Sequence, residues 1–93
     1  MKKKIAILGS TGSVGKNTIS ILRKDKKNFK LVLLSTNVNV REVVNQAKEF
    51  SVKNVIIRNF SKFLEAKKKY KKKKIKFFNN FNNIKKIFKT KEI

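Results

Sequence analysis

Three glycines, the only ones in the chain, stand at positions 9, 12 and 15 in the segment GSTGSVG. They follow directly on the apolar run Ile5, Ala6, Ile7 and Leu8, and lead into a stretch of helical periodicity. A strand-to-helix turn of this composition is suited to binding an anion. Glycine permits the tight bend, lets the backbone come against a diphosphate, and allows the helix to pack close to the strand. The helix N-terminus adds unpaired N–H groups and the positive end of its dipole. Thr11 and Ser13 supply hydroxyl donors for phosphate oxygens. The candidate residues here are Gly9, Ser10, Thr11, Gly12, Ser13, Val14 and Gly15.

A second candidate region lies about twenty residues further on, where a strand ends in Ser35, Thr36, Asn37, Val38 and Asn39. In dinucleotide-binding turns an acidic residue at this place meets an unmodified ribose. No carboxylate stands here to repel a phosphate, so short polar side chains on a basic chain favour NADP(H) over NAD(H); Arg41 is the nearest cation. The segment GSVGKNT fails as an NTPase phosphate loop. Ser10 stands where that motif needs its first glycine, and Asn17 stands where it needs a magnesium-binding hydroxyl.

The elements that must position these residues alternate regularly. Residues 4–8 suit a buried parallel strand, and the following helix places Val14, Ile21 and Leu22 roughly on one face. A second strand covers residues 29–36. The next helix carries Val40, Val43, Val44, Ala47 and Phe50 at helical spacing, with Asn39 as N-cap and Glu42 three residues on, as in a capping box. A third strand is expected at residues 54–57, then a helix with Phe60, Phe63, Leu64 and Lys67 on one stripe. A fourth strand follows at 75–78, and a closing helix with Phe81, Ile84 and Phe88, capped by Asn79 or Asn80.

This βαβαβαβα pattern predicts an α/β fold: an incomplete Rossmann-like, doubly wound parallel sheet with helices on both faces. Such domains reach about six strands, so residues 1–93 read as the N-terminal part of an NADP(H)-binding domain. In the usual order 3-2-1-4 the fourth strand is an open edge. Marginal stability or association in the absence of NADPH is the expected consequence.

Composition bounds the partners. Twenty-six lysines and arginines against five acids give a formal net charge of +21, which suits polyanions. Neither cysteine nor histidine is present, so thiolate metal sites and disulfides are excluded, and no apolar stretch approaches the ~18 residues of a membrane span. A cytoplasmic location is expected. The acids Asp25, Glu42, Glu49, Glu65 and Glu92 are scattered, so no catalytic and no metal-binding residue is assigned. The stretch KKKYKKKKIKFF interleaves cations with Tyr70, Phe77 and Phe78 as single-strand stacking platforms do, although the same aromatics fit core positions. High lysine and asparagine with little arginine also match an AT-rich coding background that raises charge on every solvated face.

The segment KKIAILGSTGSVGKNT resembles the start of the 1-deoxy-D-xylulose 5-phosphate reductoisomerase family, and KNFKLVLLSTNVNVREVVNQAKEF followed by VKNVII extends the similarity over about the first sixty residues. The resemblance implies an NADPH-dependent oxidoreductase of the non-mevalonate isoprenoid pathway, which reductively isomerises a sugar phosphate to 2-C-methyl-D-erythritol 4-phosphate. By position, Thr11, Gly12, Ser13 and Val14 would contact the NADPH diphosphate, and Asn37, Val38 and Asn39 would border the adenosine ribose phosphate. Where many members carry a lysine or arginine, this chain has Val38. The family also implies a homodimer and a divalent metal, magnesium or manganese, held by an aspartate and two glutamates beyond Ile93; on this resemblance the catalytic and C-terminal domains are absent from residues 1–93 and this chain alone would be inactive. A basic nucleic-acid-binding module and a fragment of another NADP-dependent dehydrogenase, such as a semialdehyde dehydrogenase, are the alternatives.

Overall fold

The computed structural model describes residues 3–71 and 74–82. Their order is β1 (Lys3–Ile7), α1 (Ser13–Arg23), β2 (Phe29–Thr36), α2 (Val40–Phe50), β3 (Asn54–Ile57), α3 (Phe60–Lys69) and β4 (Lys76–Phe78). All three strand pairings are parallel, and the sheet runs β1-β2-β3-β4. Parallel neighbours need a crossover, and here each crossover is a helix. The structure is thus the α/β fold that the alternating pattern predicts.

The strand order departs from 3-2-1-4. β4 adds outside β3, so successive crossovers advance in one direction, and right-handed crossovers then place α1, α2 and α3 on the same face. The packing agrees: Ile19 and Leu22 of α1, Val43, Val44 and Ala47 of α2, and Ala66 of α3 share one apolar cluster with Ile7, Leu31, Leu34, Val55 and Ile57 of the sheet. Val32, Leu33 and Ile56, with Ala6, Phe78 and Phe81, form a second cluster. β2 is flanked by strands on both sides, and its residues from Leu31 onward are all buried, which accounts for the unbroken apolar run LVLL. The β1–β2 register skips at Ile5/Ala6, which pair with Leu31 and Leu33, leaving Val32 as the extra residue of a bulge.

Two helix faces differ from the expected ones. Val14 and Ile21 are 80% and 68% exposed, and α1 instead turns Gly15, Ile19 and Leu22 inward. A Cβ at Gly15 would lie 2.3 Å from the Gly9 carbonyl oxygen, so the one position without a side chain sets the rotation of the helix. At about 100° per residue, Val14 and Ile21 then point away. In α3, Phe60 and Leu64 are exposed, while Ala66 is buried and Phe63 packs on the core with Tyr70. Ala66 has no bulk to hold the helix off, so the stripe centres there.

The caps also redistribute. Asn39 is the N-cap of α2, but its side chain makes no capping bond. Its backbone N–H donates to Thr36 Oγ1 at 3.2 Å, which removes the group that Glu42 would reach in a capping box. Glu42 pairs with Lys16 Nζ of α1 at 3.0 Å instead. Arg23 of α1 holds Glu49 of α2 through two nitrogens, and this hydrogen bonding raises the Arg23 pKa and holds the Glu49 carboxyl below its ordinary value. Asn59 caps α3, accepting from the Lys62 amide at 3.1 Å. Asn80 Oδ1 accepts from the Asn82 amide at 3.0 Å, and Asn79 Nδ2 donates to the Ile57 and Arg58 carbonyls at 2.9 and 3.1 Å. The closing helix with Ile84 and Phe88 lies outside the described residues. No described helix is long and apolar enough to cross a membrane.

Candidate functional site

The segment from Leu8 to Gly12 leaves the C-terminal end of β1 and feeds α1. Gly9 takes φ +70, the left-handed region that favours glycine, and its carbonyl accepts from the Gly12 amide at 3.0 Å. Lys16 N–H to Gly12 O, at 2.8 Å, is the first helical bond, so the amides of Ser13, Val14 and Gly15 precede any intrahelical partner. Gly12 is the N-cap, is exposed, and has no side-chain cap bond. The result is a helix start whose first amides have no intrahelical partner, with Gly12, Ser13 and Val14 exposed there.

The loop is fastened from beneath. Ser10 is fully buried: its amide donates to the Ser35 carbonyl at 2.9 Å and its hydroxyl to the same oxygen at 3.3 Å. The Gly9 amide donates to Ser35 Oγ at 2.8 Å, and Thr11 Oγ1 lies 2.8 Å from Thr36 Oγ1. Gln46 of α2, also buried, donates from Nε2 to the Ser10 carbonyl at 2.9 Å. The signal for Gln46 in the sequence is a polar residue within the otherwise apolar stripe of Val43, Val44 and Ala47. Its Oε1 is buried without a hydrogen-bond partner.

Because β1 and β2 are neighbours, the second candidate region sits beside the first. Asn37, Val38 and Asn39 form an exposed turn leading into α2. The turn is tied to the end of β3: the Arg58 amide donates to Thr36 O and the Asn59 amide to Asn37 O, both at 3.0 Å. The sequence-predicted residues thus divide in two. Thr11, Gly12, Ser13, Val14, Asn37, Val38 and Asn39 border the accessible end of the sheet, whereas Gly9, Ser10 and Gly15 shape the loop that presents them.

The four described acids have structural partners, and Glu92 lies outside the described residues. Asp25 accepts from Asn28 Nδ2 at 2.8 Å, and Glu42, Glu49 and Glu65 pair with Lys16, Arg23 and Lys62. Among the described residues no group of three His, Cys, Asp or Glu side chains gathers. The aromatics of KKKYKKKKIKFF are half-buried and engaged with the protein: Tyr70 and Phe77 pack against the main core with ring centroids 6.2 Å apart, and Phe78 packs against the second cluster. A nucleic-acid stacking platform needs rings with free faces, and rings packed against the core in this way do not favour one.

Comparison with known proteins adds family and fold. The family model described as 1-deoxy-D-xylulose 5-phosphate reductoisomerase matches residues 5–93. A reductoisomerase of that name from Pelagibacter ubique is 49% identical over 88 residues, covering 95% of this chain and 23% of that protein. One from Porphyromonas gingivalis is 44% identical over 63 residues, covering 68% and 16%. The chain therefore spans less than a quarter of the length of these relatives. Among solved structures, the reductoisomerase from Zymomonas mobilis in complex with NADPH superposes with a TM-score of 0.81 at 20% identity, covering 94% of this chain and 23% of that one. A reductoisomerase in complex with magnesium gives 0.72 at 22% identity, covering 84% and 19%.

Proposed function

The chain belongs to the 1-deoxy-D-xylulose 5-phosphate reductoisomerase family, and from that premise we propose that residues 1–93 are the N-terminal part of an NADPH-binding domain whose glycine loop holds the cofactor diphosphate. The observation that carries this reading is Gly12. The fold itself accounts for Gly9 through its positive φ and for Gly15 through steric overlap, but a Cβ at Gly12 would meet only ordinary contact, 3.4 Å from Gly9 O. Beyond its place as the N-cap, a glycine there leaves room for close approach of a diphosphate to the backbone, which supports this reading.

On this reading the amides of Ser13 and Val14 and the hydroxyl of Ser13 donate to diphosphate oxygens, with the α1 dipole adding favourable charge. Either hydroxyl of the Thr11–Thr36 pair can donate, and with Thr36 as the donor the Thr11 proton is left for the anion. Asn37, Val38 and Asn39 border the adenosine ribose phosphate. When bound, NADPH supplies a hydride; these residues hold and orient its carrier.

The reductive isomerisation of the sugar phosphate belongs to the whole protein, and we assign it none of these residues. The metal of the family does not fit the described carboxylates, which are dispersed and paired, so no step is routed through it here. The homodimer implied by the resemblance and the cytoplasmic setting expected from the composition are part of the same proposal.

Equilibrium titration with NADPH tests the loop directly. Gly12→Ala is expected to fold, with a melting temperature lowered only slightly by the poorer N-cap, yet weaken NADPH binding about tenfold or more by displacing the charge-assisted backbone contacts. Gly15→Ala is expected to fail in folding, because its Cβ would fall 2.3 Å from Gly9 O and 2.6 Å from Ser10 Cα. Unchanged NADPH affinity in a folded Gly12→Ala variant would remove the diphosphate from this loop.

A further inference from the structure

Charge is distributed unevenly between the two ends of the sheet. In a parallel sheet with helical crossovers, strand starts and helix ends share one end of the molecule, and strand ends and helix starts share the other. The glycine loop and the ribose turn occupy the second end. At the first, the base, Lys26 and Lys27 join α1 to β2, Lys53 precedes β3, and Lys71 and Lys74 join α3 to β4, all of them exposed. The Lys76 amide donates to the Lys53 carbonyl at 2.7 Å, and Lys26 Nζ lies 4.9 Å from the Phe50 ring centroid, so the junctions adjoin. The acids described at the base are Asp25, bonded to Asn28, and Glu49, held by Arg23. At the loop end Lys16 and Lys62 are answered by Glu42 and Glu65, and the other described cations are Arg41 and Arg58.

Helix dipoles account for part of this asymmetry, since a cation is favoured in the last turn and the three helices end with Arg23, Lys48 and the lysines of residues 67–69. They do not account for Lys26, Lys27, Lys53, Lys71 and Lys74, which stand outside the helices. A coding background rich in lysine would charge both ends alike, whereas the exposed connections at the loop end carry Ser13, Asn37, Asn39 and Asn59. The cations are spread over three junctions, which suits an extended polyanion. A lipid surface is the poorer match, because lying in it draws on exposed apolar area. Phe29, Phe50, Tyr70 and Phe77 at the base pack against the core, and of the exposed large apolar side chains described only Ile21 stands in the last turn of a helix. Rings held in this way also leave no platform for unpaired bases, so phosphates of a duplex are the groups these lysines can meet.

We propose that the base is a docking surface for the phosphate backbone of a nucleic-acid duplex, separate from the cofactor site and indifferent to base sequence. Each ammonium acts as a point charge on a phosphate and releases condensed counterions, which gives affinity without base readout. The base and the glycine loop lie at opposite ends of the strands, so a duplex and a dinucleotide occupy the chain together without competing.

The test is the affinity of the full chain for a mixed-sequence DNA duplex of about 20 base pairs across a salt series, which P-to-P spacing makes longer than the base. Two triple variants each remove three positive charges: Lys27→Gln/Lys53→Gln/Lys71→Gln at the base, and Arg41→Gln/Arg58→Gln/Lys62→Gln at the loop end. Wild type is expected to bind with a Kd of about 1–100 μM at about 0.15 M salt. The base variant is expected to lose about 30-fold or more at about 0.1 M salt, with a log–log salt slope shallower by about two to three, while the loop-end variant loses no more than about threefold. All six side chains are exposed, and unchanged melting temperatures show that both variants fold. Equal losses in the two variants would overturn the proposal, because they would mean that net charge alone attracts the duplex. Displacement of the duplex by saturating NADPH would overturn it by placing both ligands at one end. Tighter binding to phosphatidylserine-containing vesicles than to the duplex at equal salt would overturn it in favour of a membrane surface. NADPH affinity, measured on the same samples, reports on the loop reading independently.

Discussion

Gln46 is the residue on which the loop and α2 depend jointly, since one side chain buried on a helix fixes a backbone carbonyl of the anion-binding segment. Its Nε2 must face the Ser10 oxygen, because the reversed amide would set two acceptors against each other. Gln46→Glu creates that clash permanently, whereas Gln46→Met keeps the volume and merely loses the bond. We expect Gln46→Met to cost about 1 kcal/mol of stability and Gln46→Glu distinctly more, both with weaker NADPH binding; thermal melts and cofactor titrations on the same samples check this. Full NADPH affinity in a folded Gln46→Glu variant would show that the loop holds its shape without α2. The glycines were legible in the sequence because each role leaves a mark at fixed spacing. Gln46 was marked only by its place within the apolar stripe of α2, and its role needs the Ser10 carbonyl that the fold brings to it. Ser10 illustrates the same limit: its type suggests a phosphate donor, and its burial makes it a fastening of the loop to β2.

Among the elements, strands were read closely and helix faces less so. A buried parallel strand announces itself by an unbroken apolar run bounded by polar residues, and Phe29–Thr36 and Asn54–Ile57 form where such runs stand. A helix face depends on what the helix meets. Gly15 and Ala66 carry no apolar bulk to signal burial, yet they mark the closest approaches of α1 and α3, and Val14, Ile21, Phe60 and Leu64 are left outside. The end of α2 supports a separate prediction. Ser51 closes that helix in the left-handed conformation, φ 55 and ψ 39, with Val52 N–H bonded to Ala47 O at 2.8 Å. A side chain costs about 1–2 kcal/mol there, only partly offset by the lower unfolded-state entropy of serine relative to glycine. Ser51→Gly is therefore expected to stabilise by about 0.5–1 kcal/mol, a rise of a few degrees in Tm that differential scanning calorimetry would detect. A lower Tm would mean that the Ser51 side chain contributes contacts outweighing its strain.

For the whole molecule, the order β1-β2-β3-β4 sets the first two strand ends side by side, which brings the glycine loop and the ribose turn into one site. That adjacency followed from the sequence, since consecutive parallel strands joined by a short helix tend to pair. The side on which β4 adds did not, because both edges of a three-stranded parallel sheet can be reached by a right-handed crossover. The formal charge of +21 gives every polyanion a nonspecific attraction to this surface, and a test of cofactor binding must separate the two. The most direct measurement is the melting temperature of the full chain with saturating NADPH at about 0.5 M salt, where charges are screened beyond roughly 4 Å, beside an equal concentration of tripolyphosphate. NADPH at ~100 times its Kd is expected to add about 2.7 kcal/mol and raise Tm by several degrees, while tripolyphosphate leaves it nearly unmoved. A Tm that NADPH does not shift, or that tripolyphosphate shifts equally, would contradict a dinucleotide site at the glycine loop.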